Sequence, residues 1–251
     1  MTDRPSLRLA IVDDEELARR VLREFLSSMP DIEIVAECSN GFEAVKAVSD
    51  VRPDLLLLDV QMPKLNGFEV LELVGSEVAV VFTTAHDEYA LRAFEVHAVD
   101  YLLKPFNAER LAAALDRARE RMARRERLPV TALAAAARPA GAPSTRVLVR
   151  DGGRVHVIPT DKIDYVQAQD DYVAYHGEGR HHLKEQTLAD VEASLDPARF
   201  VRVHRSYLLN IDRLARVELD ERENRVAILT TGARLPVSRS GHARLTAALE
   251  R

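Results

Sequence analysis

Apolar positions in the first 122 residues fall into two alternating rhythms. Short runs at residues 9–12, 34–38, 78–82 and 101–103 have the length of strands, and Leu55-Leu56-Leu57-Leu58 ends abruptly in Asp59. A run that is apolar at every position predicts a strand buried on both faces of a parallel sheet. Between these runs the spacing becomes helical: Leu17, Ala18, Val21, Leu22 and Phe25; then Phe42, Val45 and Val48, opened by Ser39 or Asn40; then Phe68 and Leu71; then Leu91 and Phe94. A long helix from Ala108 carries Leu111, Leu115, Ala118 and Met122. Five strand–helix units in this order predict an α/β doubly wound five-stranded parallel sheet with helices on both faces.

The pattern breaks after residue 124. Residues 129–144 are Ala-rich with Pro129, Pro139, Gly141 and Pro143, the composition of a linker of mixed stiffness that is transiently helical across 132–137. From Thr145 the period shortens to two. Val147/Val149, Val155/Val157, Tyr172/Ala174, His182/Lys184, Val201/Val203 and Val226/Ile228 alternate in short runs broken by Gly152-Gly153, Gly177-Glu178-Gly179, Arg222-Glu223-Asn224 and Gly232. These predict a mainly antiparallel β domain. Thr187-Leu188-Ala189-Asp190 has the spacing of a capping box and opens a short helix through Val191 and Leu195, and residues 241–249 form a last one. The expected organisation is a first domain over 1–124, a linker over 125–144 and a second domain over 145–251.

Charge sharpens this division. Residues 1–120 hold 13 Lys and Arg against 23 Asp and Glu, whereas residues 140–251 hold 17 against 16. An acidic front and a neutral, Arg-rich rear suggest two domains with different partners. The single cysteine, Cys38, excludes an intrachain disulfide or a Cys-based zinc site and fits a packed or edge-strand thiol in a reducing compartment. No apolar run approaches the ~20 residues of a membrane span, and none is preceded by a charged leader. A soluble, cytoplasmic protein is expected.

The candidate chemistry lies at the strand ends. The first strand runs into Asp13 and Asp14 and the third ends in Asp59, so a parallel sheet gathers three carboxylates at its carboxyl edge, where such sheets bind ligands. Like charges so close raise one another's pKa unless a hard cation neutralises them, and Mg²⁺ suits oxygen ligands. Asp14 alone reads equally well as the cap of the following helix. The fourth strand ends in Thr83-Thr84-Ala85 and the fifth in Leu103-Lys104-Pro105. A hydroxyl and an amine beside an acid and a cation are what a phosphoryl group on Asp59 requires.

Asp13-Asp14, Asp59, Met62-Pro63, Gly67, Thr84-Ala85, Tyr101 and Lys104-Pro105 together resemble the receiver domain of bacterial response regulators, a flavodoxin-like fold, over roughly residues 7–122. The resemblance implies that Asp59 accepts phosphate from a histidine kinase. It also implies that Asp13, Asp14, Asp59 and the Gln61 carbonyl hold Mg²⁺, that Thr84 and Tyr101 are the switch pair, and that Lys104 grips the phosphate. A cis Lys104–Pro105 bond, receiver dimerisation on phosphorylation and no metabolic enzyme activity are implied with it.

The second half has no catalytic constellation. His181 and His182 alternate across a strand and do not face one metal. Residues 163–168, Tyr172, the stretch Phe200-Val201-Arg202-Val203-His204-Arg205-Ser206-Tyr207-Leu208-Leu209-Asn210 and Pro236-Val237-Ser238-Arg239 are similar to the LytTR-type DNA-binding domain over roughly 146–250. That family implies a β-sheet that sends loops into successive major grooves of double-stranded DNA. On this chain the contacts would come from Gln169, Asp171 and Tyr172, then His204, Arg205 and Ser206, then Arg239. The acidic Asp170-Asp171 tip argues against phosphate contact there, although a carboxylate can accept from cytosine. The resulting expectation is a transcriptional response regulator. Two rivals are a β domain that docks a protein and a Mg²⁺-dependent phosphohydrolase, the latter lacking an obvious second acid or base near Asp59.

Overall fold

The structure, a computed structural model, describes residues 6–85, 98–124, 143–221 and 223–250. The helix expected around Leu91 and Phe94 and most of the linker lie outside the described residues. The chain divides into two compact units, residues 1–140 with 150–155, and residues 141–149 with 156–251.

In the first unit, β1 (Leu7–Val12), β2 (Ile32–Cys38), β3 (Leu55–Asp59), β4 (Ala79–Thr84) and β5 (Asp100–Leu103) form one parallel sheet in the order β2-β1-β3-β4-β5. The described helices of this unit are α1 (Glu16–Ser27), α2 (Gly41–Val51), α3 (Gly67–Val74) and α4 (Ala108–Ala123). All of β3 is buried, as its unbroken apolar run requires. Leu9, Ile11, Leu55, Leu57, Val81 and Leu102 pack with Leu22 and Leu26 of α1 and Leu111, Ala114, Leu115 and Ala118 of α4. Strand order reverses between β1 and β3, so the ends of these strands flank the crevice of the sheet.

Local caps account for several boundaries. Asn40 opens α2 by accepting from the Glu43 amide, and Ser39 bonds the Glu43 carboxylate, so both residues offered as the helix opener take part. Asn66 and Glu69 close a capping box on α3. Cys38 is buried at the end of edge strand β2, and burial pushes its thiol up to about 12.

β6 (Arg146–Asp151) and β7 (Arg154–Pro159) form a two-stranded ribbon, most of which belongs to the second unit. The main sheet takes β8 (Tyr165–Gln169), β9 (Tyr172–Gly177), β10 (Arg180–Glu185), β11 (Phe200–His204) and β12 (Tyr207–Asn210) in the antiparallel order β10-β9-β8-β12-β11. A second sheet follows, β13 (Leu214–Leu219), β14 (Arg225–Leu229) and β15 (Arg234–Pro236). One face of the main sheet buries Val166, Val173, Tyr175 and Leu208 with Val147, Val149 and the helix α5 (Leu188–Ser194). The other buries Val201, Val203 and Leu209 against Ala227, Leu229, Leu235 and Leu245, the last on helix α6 (Arg239–Leu249). The alternating Val201/Val203 pattern therefore serves a sheet covered on both faces. A register shift between Leu214 and Arg216 explains why the apolar pair Leu214 and Val217 stands three apart rather than two.

The start of α6 corrects one boundary. The spacing predicts this helix from Gly241, with Arg239 ahead of it, but the Ser238 hydroxyl accepts from the Gly241 amide and starts the helix at Arg239. Here α6 meets β11 closely, because the Ser238 amide donates to the Val203 carbonyl and a methyl group on Gly241 would overlap that same oxygen. Among the described residues, no helix is long and apolar enough to cross a membrane. Gly241→Ala should lower the denaturant midpoint of the full chain, by about 1–3 kcal/mol of unfolding free energy, as forced separation of packed elements does. An unchanged midpoint would contradict the close approach.

Candidate functional site

The three acids predicted to share an edge do so. Ligand oxygens of Asp13, Asp14 and Asp59 lie within 4.8 Å of one another. Asp13 follows β1 and is fully buried, Asp59 ends β3 and is 6% exposed, and Asp14 is exposed. The capping role for Asp14 is not taken up, since Glu15 occupies the N-cap of α1 with no side-chain cap. Asp13 instead turns one oxygen to the Glu15 amide at 3.0 Å. The other accepts from Lys104 Nζ at 2.6 Å, and the same ammonium reaches Asp59 Oδ2 at 3.3 Å. Asp59 Oδ1 accepts from the Gln61 amide at 3.3 Å.

Backbone packing fixes this geometry. The Gly67 amide donates to the Val60 carbonyl at 2.9 Å, and a side chain at Gly67 would overlap the Asp59 carbonyl, so the loop after β3 closes only around a glycine. The Lys104 amide donates to the Thr84 carbonyl at 2.7 Å, which carries the lysine just past β5, and the Lys104–Pro105 bond is cis. Thr83 and Thr84 are both fully buried but differ in direction. Thr83 is in register with Asp59 and Leu102, whereas Phe82 is in register with Tyr101 and Thr84 with Leu103. By strand alternation Thr84 and Tyr101 therefore share one face, and Thr83 the other.

One amine does not balance three carboxylates. Burial pushes Asp59 up to about 6; Lys104 draws it down and Asp13 raises it again. Lys104 itself stays above its ordinary value because Asp13 and Asp59 outweigh the cost of its burial. An oxygen-only, net negative donor set, buried at Asp13 and Asp59 and open to solvent at Asp14, fits a hard divalent cation, and these three acids are the residues that can hold one.

A further acid was not anticipated. Asp100, immediately before Tyr101, is bonded by Arg110 at 2.7 and 2.9 Å and also by Arg117, while Arg110 donates to the Tyr101 carbonyl at 2.9 Å. These bonds pin β5 to α4 beside the Thr84–Tyr101 face. In sequence the pairing is indistinguishable from ordinary surface charge.

In the second unit the three expected contact segments meet at one end of the main sheet. Gln169 and Tyr172 pair across a two-residue turn made by Asp170, at φ 50°, and Asp171; Tyr172 is 46% exposed. His204 and Tyr207 likewise bracket Arg205 and Ser206. The Ala168 amide donates to the Ser206 carbonyl at 2.9 Å and joins the two turns. Arg239 opens α6, whose cap is bonded to Val203. His181 stacks toward His176, whereas His182 lies tilted against His156, so this pair is divided as its alternation predicts. Sequence reasoning left two supports unassigned: Arg202 donates to the Arg205 carbonyl at 2.8 Å, and Arg244 donates twice to the Arg202 carbonyl.

The raised Asp59 pKa carries a sign that can be checked. Because the folded value, about 6, exceeds the ordinary 3.8, the metal-free fold loses stability as pH rises through that window and bears the full cost above it. Asp59→Asn should therefore stabilise the metal-free protein at neutral pH by about 1–3 kcal/mol, with the difference vanishing near pH 4. Thermal unfolding at the two pH values reads this, and a variant no more stable at neutral pH would contradict the assignment.

Comparison with known proteins places both units. Residues 9–116 match the response regulator receiver domain and residues 153–250 the LytTr DNA-binding domain. The transcriptional regulatory protein BtsR of Escherichia coli strain K12 is 38% identical over 93% of this chain and 95% of its own length. BtsR of Salmonella typhimurium is 37% identical over 93% and 95%. A response regulatory protein of Vibrio cholerae is 35% identical over 92% and 94%. The chain belongs to the response regulators that join a receiver domain to a LytTr DNA-binding domain, and is a DNA-binding response regulator.

Proposed function

We propose that Asp59 takes a phosphoryl group from a phosphohistidine of a partner kinase and thereby controls how the second unit binds double-stranded DNA. The observation that carries this reading is the buried Asp59 carboxylate held within reach of Lys104 and Asp13 at one sheet edge. Asp59 Oδ2 attacks phosphorus, the P–N bond to the donor imidazole breaks, and the product is an acyl phosphate. Lys104 exchanges a carboxylate partner for a phosphoryl oxygen, and the Thr84 hydroxyl donates to another. Tyr101 then occupies the space that Thr84 leaves, a shift between two packings rather than a continuous deformation. Asp13, Asp14, Asp59 and the Gln61 carbonyl would hold Mg²⁺, whose charge would offset that on the transferring oxygens. The protein works as a cytoplasmic switch and not as a metabolic enzyme.

Residues 1–124 act as the phospho-acceptor, 125–144 as the connection and 145–251 as the DNA reader. Phosphorylation promotes a homodimer through the receiver, and two linked readers gain from effective concentration on paired sites. Gln169, Asp171 and Tyr172, then the turn at His204, Arg205 and Ser206, then Arg239 supply the contacts. Their convergence at one end of the main sheet supports a loop-based reader.

Radiolabelled acetyl phosphate with Mg²⁺ should label the wild type and not Asp59→Asn; undiminished labelling of the variant moves the acceptor elsewhere. Selection from a random duplex library should enrich one motif, with affinity falling steeply as salt rises. Arg239→Ala should weaken binding and relax one base position, at a cost of about 1–3 kcal/mol. A loss equal for all sequences would make Arg239 a phosphate contact instead.

A further inference from the structure

The turn between β11 and β12 is built on two residues whose backbone does not favour a hairpin. Neither Arg205 nor Ser206 has a positive φ, so the turn is not one of the primed types whose twist matches the flanking strands. A register shift between Arg202 and His204 takes up part of the mismatch. Side chains fix the rest. The Ser206 amide donates to His204 Nδ1 at 3.2 Å, and the His204 ring lies tilted against Tyr207 with centroids 5.9 Å apart. Arg202 holds the Arg205 carbonyl from the other side at 2.8 Å, and its second terminal nitrogen is anchored to Glu192 at 3.1 Å.

A ring nitrogen that accepts a hydrogen bond carries no proton, so this bond assigns His204 as the neutral tautomer with hydrogen on Nε2. Burial, helped by the neighbouring Arg205 charge, lowers its pKa and agrees with the neutral form. Arg205, by contrast, is exposed, and its side chain makes no hydrogen bond or ion pair among the described residues.

We propose that His204 is a positioning residue rather than a DNA contact: its Nδ1 clamps the Ser206 amide and, together with Arg202, sets the turn from which Arg205 reads DNA. The inference rests on the DNA-facing reading of this loop. Because the clamp uses Nδ1 and a contact would use Nε2, two isosteric substitutions separate them. Asparagine places an oxygen acceptor where Nδ1 lies and has nothing at Nε2; glutamine reaches the Nε2 position and offers nothing at Nδ1.

The full-length chain, phosphorylated with acetyl phosphate, is titrated with a duplex selected by the wild type and with a scrambled duplex, after thermal melting shows each variant folded. His204→Asn should keep the ratio of the two affinities near the wild-type value. His204→Gln should lose about tenfold or more of it, since the Ser206 amide is left without its partner. Loss in the Asn variant with retention in the Gln variant, equal loss in both, or equal retention in both overturns the proposal while leaving the loop as a DNA contact. Arg205→Ala should weaken binding to the selected duplex. If it does not, the reading of the loop itself fails and the proposal with it. Heteronuclear NMR of the imidazole nitrogens supplies a measurement independent of any variant: hydrogen on Nε2 is expected for His204, and hydrogen on Nδ1 overturns the clamp.

Discussion

Three carboxylates facing one ammonium at the carboxyl edge of a parallel sheet set the terms for the first unit. Buried like charges are costly, and the cost is visible in Asp59, pushed up to about 6 despite Lys104 at 3.3 Å. The rest of the unit holds the groups there regardless. The leucine run of β3 buries the strand on both faces and delivers Asp59 to the end of it. Gly67 lets the loop fold back on the Asp59 carbonyl, and the bond from the Lys104 amide to the Thr84 carbonyl delivers the lysine. A site with this charge imbalance is stabilised by whatever brings positive charge or redistributes negative charge. That suits the cation-dependent phosphoryl switch proposed for it.

In the second unit the corresponding constraint is burial of the main sheet on both faces. With one hydrophobic cluster on each side, the sheet cannot slide, and its turns are presented at a fixed end. Buried Asn210 adds a polar anchor by donating to the Ile163 carbonyl and accepting from the Asp212 amide. The two turns are bonded to each other through Ala168 and Ser206, and α6 is bonded to β11 through Ser238. Exposed side chains such as Arg205 are thus carried on a rigid frame. Rigid presentation suits readout by loops, which must otherwise be ordered at the expense of affinity.

Elements defined by strong periodicity were legible in the sequence. The unbroken apolar strand, the Thr187 capping box and the division of His181 from His182 all follow from local rules, and the structure agrees with them. The acid cluster was legible because strand ends in a parallel sheet converge whatever the loops do. What escaped was pairing over distance. Asp100 with Arg110 and Arg117, and Arg202 with Arg244, are charged residues on alternating or helical faces, where sequence cannot separate a solvated side chain from a support. The start of α6 escaped for a different reason, because Gly241 marks a close approach to β11 rather than the helix boundary. His204 stood out by residue type, but the direction of its ring nitrogens required the geometry of the turn.

The proposed coupling is that chemistry at Asp59 governs DNA binding by the other unit. It is tested most directly by titrating a selected duplex with the full-length chain, with and without acetyl phosphate and Mg²⁺, for the wild type and Asp59→Asn side by side. The phosphodonor should tighten binding by the wild type and leave the variant unchanged. Equal tightening in both, or none in a wild type shown to be phosphorylated, would contradict it.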